Sequence, residues 1–96
     1  MIDLKNKNII VTGASGGIGN SIIKRLNDVG ANILASGTKV EKLEDLKKKF
    51  PKIITKKFDI SEHSKINNFI EEASKELGGL DILVNNAGIN MDNLSL

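Results

Sequence analysis

The sequence predicts an α/β fold in which a doubly wound parallel sheet carries helices on both faces. Short, continuous apolar runs alternate with segments of helical periodicity, and such runs are typical of parallel strands that are buried on both faces. A glycine-rich loop follows the first run, and glycine or proline ends each helical segment. The resulting order β-α-β-α-β-α-β, with right-handed crossovers, predicts the strand order 3-2-1-4.

The predicted strands are the apolar runs at residues 9–11, 33–35, 53–54 and 82–84. Each intervening segment carries an apolar stripe at helical spacing. The three stripes consist of Ile18, Ile22, Leu26 and Val29, then Val40, Leu43, Leu46 and Phe50, and then Ile66, Phe69, Ile70, Ala73 and Leu77. The helices are expected to end at Gly30, Pro51 and Gly78. Ser61 is the expected N-cap of the third helix.

The composition is that of a soluble, cytoplasmic protein, with residues 1–96 in a single small domain. Cys is absent, and no apolar run approaches the ~20 residues that cross a bilayer. The N-terminal residues lack the apolar core of an export signal. The net charge is only +2, and no aromatic residue interleaves the lysines of residues 47–57. We therefore expect neither nucleic acid nor a membrane as a partner.

The loop after the first predicted strand reads GASGGIG at residues 13–19 and leads into the first predicted helix. Glycine adopts positive φ at little cost, and its missing Cβ lets main-chain N–H groups approach a ligand. The first turn of a helix offers unpaired N–H donors and the positive end of its dipole. The loop is therefore expected to bind a phosphate or pyrophosphate, with the Ser15 hydroxyl as a further donor. The alternative is a glycine-rich turn without a ligand.

Two motifs resemble those of the short-chain dehydrogenase/reductase family. TGASGGIG at residues 12–19 matches the family's TGxxxGxG motif, and NNAG at residues 85–88 matches its second motif, after the fourth strand. The stretch DILVNNAGINMDNL at residues 81–94 is similar to the version found in bacterial 3-oxoacyl-(acyl-carrier-protein) reductases of fatty acid biosynthesis. The resemblance covers nearly the whole chain. It implies the N-terminal half of a Rossmann-like fold that binds NAD(P)H.

The resemblance also implies which residues hold the cofactor. The pyrophosphate loop would contain Thr12, Gly13, Ser15, Gly16, Gly17, Ile18 and Gly19. Asp59 would contact the adenine amino group, with Ile60 beside the ring. Asn86, Ala87 and Gly88 would line the cofactor while bracing the fourth strand. The alternatives are a helix cap for Asp59 and a plain turn at residues 85–86.

The end of the second predicted strand favours NADP(H) over NAD(H). Members that use NAD usually place an acidic residue there to bind the ribose hydroxyls, whereas residues 35–39 read ASGTK. An acid would repel a 2′-phosphate, while Thr38 and Lys39 tolerate it or donate to it. Thr38 is also a candidate N-cap of the second helix. Relatives often carry Arg or Lys where Gly16 stands, so the hold on the 2′-phosphate is expected to be weaker here.

The family's chemistry is hydride transfer, with a Tyr as general acid, a Lys four residues further on, a Ser and a further Asn. The sequence contains no Tyr, so we assign no catalytic residue and expect this chain to be inactive alone. It is expected to be truncated before the catalytic segment, as a gene fragment, a truncated reading frame or an incomplete sequence.

Three functions stay open. The first is the NADPH-binding part of a reductase whose intact form acts on acyl carrier protein and is a homo-oligomer, a state not expected of this chain. The others are a non-catalytic NADP(H)-binding module and a fragment without function. The sequence shows no metal-ligand constellation, and its single His63 is expected to be exposed.

Overall fold

The computed structural model describes residues 3–59 and 61–86 of the chain. Strands and helices alternate in the predicted order. They are β1 (Asn8–Thr12), α1 (Gly17–Asp28), β2 (Asn32–Gly37), α2 (Val40–Lys49), β3 (Ile54–Lys57), α3 (Ile66–Leu77) and β4 (Ile82–Asn85), with a short 3-10 helix, His63–Lys65, before α3. The strands form one parallel sheet in the order β3-β2-β1-β4. The predicted fold class and strand order are confirmed.

Side chains of the central strands alternate between two apolar layers, because successive residues of a strand point to opposite faces. On one face, Ile9 and Ile33 belong to a buried cluster that includes residues of α1 and α2. On the other face, Ile10 and Leu34 pack with Phe69 of α3. Burying each of these side chains contributes about 1.5–3 kcal/mol. The two layers explain why the sequence of both strands is continuously apolar.

The third strand extends further than its apolar residues predicted. It begins one residue after Ile53 and continues through Lys56 and Lys57. Within the described ranges β3 pairs only with β2, and lysine is common on such edge strands. The Lys56 ammonium lies 3.6 Å from a Glu72 carboxylate oxygen and 3.7 Å from one of Glu76, both on α3. Since these side chains are partly exposed, the pairs contribute at most about 1 kcal/mol each.

Glycine ends two helices as predicted, with φ of 84° at Gly30 and 88° at Gly78, but both predicted N-caps are wrong. The residue before α3 is Lys65, and it makes no side-chain capping bond. The 3-10 turn separates Ser61 from that helix, and Ser61 donates to the Asp59 carboxylate instead. The residue before α2 is Lys39, again without a side-chain capping bond, so Thr38 lies one position too early.

Three residues of the predicted apolar stripes are exposed, namely Ile18 (70%), Val29 (49%) and Val40 (44%). All three lie at helix ends: Ile18 in the first turn of α1, Val29 directly after its last residue, and Val40 at the first residue of α2. The buried residues, such as Ile23 and Leu43, lie further inside the helices. The packing of α1 and α2 on the sheet therefore involves the middle of each helix.

Candidate functional site

The carboxyl ends of the strands share one edge of the sheet, and a cavity of about 340 Å³ opens there. In open α/β sheets, ligands bind outside these ends, at the point where the strand order reverses. The strand order reverses beside β1, which pairs with β2 on one side and with β4 on the other. The cavity is lined by Thr12, Gly13, Ser15, Ser36, Gly37, Thr38, Phe58, Asp59, Ser61 and Asn86.

The loop between β1 and α1 is held tightly against the sheet. Gly13 has a φ of 63°, a conformation that glycine adopts without steric cost. The Ala14 N–H then donates to the Ser36 carbonyl at 2.8 Å. A Cβ built at Gly19 would lie 2.6 Å from both the Ala14 Cα and the Gly13 carbonyl oxygen. Glycine at position 19 is therefore required for the helix to pack this close to the loop.

Within the part of the chain that the structure describes, no side chain caps the N-terminus of α1. The residue at its cap position, Gly16, is extended and supplies no side-chain bond, and the first turn contains no acidic residue. The first amides of a helix have no acceptor within the helix. A Cβ built at Gly17 would meet nothing within 4 Å. These open N–H donors and the positive end of the helix dipole suit an anion such as a phosphate.

Thr12 connects the ends of β1 and β4. Its hydroxyl, on a side chain only 2% exposed, donates to the Asn85 side-chain oxygen at 2.9 Å and accepts from the Asn86 N–H at 3.1 Å. The Asn86 side-chain amide donates to the Gly13 carbonyl at 3.4 Å. The start of the glycine loop is thereby fixed relative to the segment that follows β4.

Asp59 also lines the cavity, in a tight turn with Ser61. One oxygen of its carboxylate accepts from the Ser61 hydroxyl at 2.7 Å and from the Ser61 N–H at 2.9 Å. These bonds, with the hydroxyl as the larger cause, lower the pKa of Asp59 from its ordinary value of 3.8. The side chain is therefore a carboxylate at neutral pH and accepts hydrogen bonds there.

The structure brings together most of the residues predicted for the site. Thr12, Gly13, Ser15, Thr38, Asp59 and Asn86 line the cavity, while Gly16, Gly17, Ile18 and Gly19 form the adjoining start of α1. Ile60, Ala87 and Gly88 lie outside the described residues.

Four lining residues had not been predicted, namely Ser36, Gly37, Phe58 and Ser61. Ser36 directly precedes Gly37, the last residue of β2. Its place at the carboxyl end of a strand is the sequence feature that could have predicted it. Phe58 is held by stacking on Phe69, with ring centres 4.2 Å apart, which no local pattern indicates.

A larger cavity, of about 560 Å³, lies at the amino ends of β2 and β3. Helix carboxyl termini, rather than amino termini, face this edge of the sheet, since Asn27, Phe50 and Leu77 are among its lining residues. Across residues 3–59 and 61–86 the side chains of His, Asp and Glu form no group suited to a metal ion. Over the same ranges, no helix has the length and apolar character to cross a membrane.

Comparison with known proteins gives consistent matches. A model of the short chain dehydrogenase family matches residues 7–95. The 3-oxoacyl-(acyl-carrier-protein) reductase FabG of Rickettsia conorii is 41% identical over 100% of this chain, and nodulation protein G of a Rhizobium species is 41% identical over 98%. This chain spans 39% of the length of each of these two relatives.

A solved structure of a short chain dehydrogenase from Mycobacterium smegmatis superposes with a TM-score of 0.83 and 28% identity. The match covers 91% of this chain and 39% of that one. The family match extends over both motifs and the whole described sheet. The chain therefore belongs to the short-chain dehydrogenase family of oxidoreductases.

Proposed function

We propose that this chain binds NADP(H) at the carboxyl edge of its sheet and supplies the cofactor-binding part of an oxidoreductase. The observation that carries the proposal is the uncapped N-terminus of α1, with open space at Gly17. A side chain at position 17 would block an approaching ligand, and among residues 3–59 and 61–86 no atom lies within 4 Å of a Cβ built there.

The residues present fit a dinucleotide in three places. The amides at the start of α1, with the Ser15 hydroxyl, suit the pyrophosphate. The Asp59 carboxylate suits the adenine amino group, and from the family resemblance Ile60 would lie beside the ring. From the family resemblance, Asn86, Ala87 and Gly88 would line the cofactor while bracing β4. The chemistry that the bound cofactor supplies is transfer of a hydride.

We propose NADP(H) rather than NAD(H) because β2 ends without an acidic residue. Its last residue is Gly37, followed by the exposed Thr38 and Lys39. A hydroxyl and an ammonium at these positions donate to a 2′-phosphate, whereas a carboxylate would repel it.

The proposed reaction of the whole protein is reduction of a 3-oxoacyl thioester on acyl carrier protein, in cytoplasmic fatty acid biosynthesis. The support is the relative of that name, 41% identical to this chain. The 96 residues contain no Tyr, so we expect this chain alone to be unable to reduce a carbonyl by the family's Tyr-dependent mechanism.

Calorimetric titration of the purified chain with NADPH, and separately with NADH, tests the cofactor proposal. We expect saturable one-to-one binding, with NADPH the tighter ligand. Tighter binding of NADH would reject the NADP(H) assignment, and no saturation by either at millimolar concentration would reject cofactor binding altogether.

A non-catalytic NADP(H)-binding module is the second candidate, because binding alone needs the open N-terminus of α1 and no Tyr. Sequencing the gene beyond codon 96 separates the two candidates. A reading frame that continues into Tyr-x-x-x-Lys supports the reductase, whereas a stop codon there supports the binding module.

A further inference from the structure

Gly37, the last residue of β2, lies directly against the glycine loop. A Cβ built on it would lie 2.8 Å from the Ser15 hydroxyl oxygen, 3.2 Å from the Ser15 Cβ and 3.3 Å from the Ser15 nitrogen. The first distance is under 3.0 Å, closer than real Cβ atoms come to non-bonded heavy atoms. An alanine at position 37 would therefore compete with Ser15 for the same space.

The backbone at Gly37 does not itself require glycine. The residue belongs to a regular strand, and it is not one of the glycines with positive φ in the described chain. What requires glycine is the close approach of Ser15. Alanine is compatible with the strand, so its effect would be confined to this contact.

The two sides of the contact differ in how easily they move. The end of β2 is held by two main-chain hydrogen bonds. The Gly37 carbonyl accepts from the Phe58 N–H at 3.0 Å, and the Ser36 carbonyl accepts from the Ala14 N–H at 2.8 Å. The Ser15 hydroxyl has no hydrogen-bond partner within residues 3–59 and 61–86, and it turns about a single bond. A methyl group at position 37 would therefore turn this hydroxyl away, and the Ser15 Cβ and nitrogen, at 3.2 and 3.3 Å, would have to move by a few tenths of an ångström.

We propose that Gly37 is a positioning residue that sets the direction of the Ser15 hydroxyl in the cavity and thereby its hydrogen bond to the bound dinucleotide. The inference rests on the proposed function, because it assumes that residues 13–19 hold the pyrophosphate. Gly37 lies outside both sequence motifs, so the inference adds the end of β2 to the elements that orient Ser15.

The first arm of the test uses the chain without ligand. Three-bond proton couplings of Ser15 report its side-chain rotamer by NMR. We expect Gly37→Ala to change them and Gly17→Ala to leave them unchanged, since a Cβ at position 17 meets nothing within 4 Å. Unchanged couplings in Gly37→Ala would overturn the inference, whether or not the chain binds a cofactor.

The second arm measures NADPH affinity in a double-mutant cycle of Gly37→Ala and Ser15→Ala. We expect Gly37→Ala to weaken binding roughly tenfold, as for loss of one hydrogen bond to a charged group. In the Ser15→Ala background it should weaken binding by less than about threefold. Equal losses in both backgrounds would overturn the inference. Failure of the unmodified chain to bind NADPH would instead refute the proposed function, and the rotamer arm would still decide the role of Gly37.

Discussion

Replacing Gly17 by alanine separates a glycine needed for the ligand from one needed for the fold. In the chain itself, a Cβ at this position meets nothing within 4 Å. The residue is the first of α1, where alanine has the higher helix propensity. We therefore expect the free energy of unfolding to stay the same or to rise by up to about 1 kcal/mol.

Cofactor binding should respond in the opposite direction. The added methyl group stands where the first amides of α1 are open, and a phosphate held there would lose at least one hydrogen bond. Because hydrogen bonds to charged groups contribute about 1.5–3 kcal/mol, we expect NADPH to bind roughly 10- to 100-fold more weakly. Calorimetric titration measures this loss, and urea unfolding of the same samples measures stability.

Gly19→Ala is the matched control. There the new Cβ would lie 2.6 Å from main-chain atoms of Gly13 and Ala14, which cannot turn aside as a side chain can. We expect a loss of about 1–3 kcal/mol of stability, which lowers the melting temperature by about 4–8 °C per kcal/mol. Undiminished NADPH binding by the stably folded Gly17→Ala variant would refute the assignment of this helix terminus as the phosphate site.

Three further predictions concern single side chains. Thr12→Val removes the hydroxyl whose hydrogen bonds connect β1 with the end of β4 and should cost about 1–3 kcal/mol in urea unfolding; no loss would contradict the structural role of that hydroxyl. Ser61→Ala should raise the pKa of Asp59 toward 3.8, because it removes the Ser61 hydroxyl, the larger cause of the lowered pKa. An NMR titration of the Asp59 carboxyl carbon measures this pKa, and an unchanged value would contradict the role of the hydroxyl. The pKa of Asp59 is lower in the folded chain than in the unfolded chain. The ionised Asp59 therefore contributes its full stabilisation above the unfolded-state pKa, and this stabilisation is lost as the pH falls through the folded-state pKa. Ser61→Ala should accordingly lose less stability in acid than the unmodified chain. Gly16→Arg, at a site where a Cβ meets only the Gly13 carbonyl at 4.0 Å, should improve NADPH binding relative to NADH roughly three- to tenfold, and an unchanged ratio would argue against a 2′-phosphate nearby.

The order of the sheet could be predicted because the strongest sequence signals come from its centre. Buried residues such as Ile9, Ile10 and Leu34 lie on strands with apolar layers on both faces, so their runs are unbroken. The strand ends were shorter in the prediction than in the structure, because main-chain pairing continues through polar residues. Asn8 and Thr12 both pair in register with neighbouring strands.

The predicted cap at Ser61 failed because its side chain has a nearer partner. Ser61 is a common helix-capping residue, yet its hydroxyl lies 2.7 Å from the Asp59 carboxylate. The charged acceptor, two residues away, takes the hydrogen bonds, and the 3-10 turn begins the approach to α3. Such local competition depends on the backbone path between the strand and the helix, which periodicity does not specify.

The sequence predicted the part of the site that the two motifs contain. Residues 12–19 and Asn86 meet at one end of the sheet because both follow parallel strands. The contact between Ser15 and Gly37 could not be predicted, because it depends on how closely the loop packs on β2 rather than on any short-range pattern. Position 37 therefore looked like an ordinary residue at a strand end.

Mapping the binding site by NMR tests the central claim most directly, namely that main-chain amides at the start of α1 hold the cofactor's pyrophosphate. NADPH is titrated into the labelled chain, and the shift of each backbone amide is followed to saturation. The largest shifts should fall on residues 13–19, with little change at residues 30–33 and 50–54 around the larger cavity. Shifts centred on that larger cavity, with residues 13–19 unaffected, would contradict the claim.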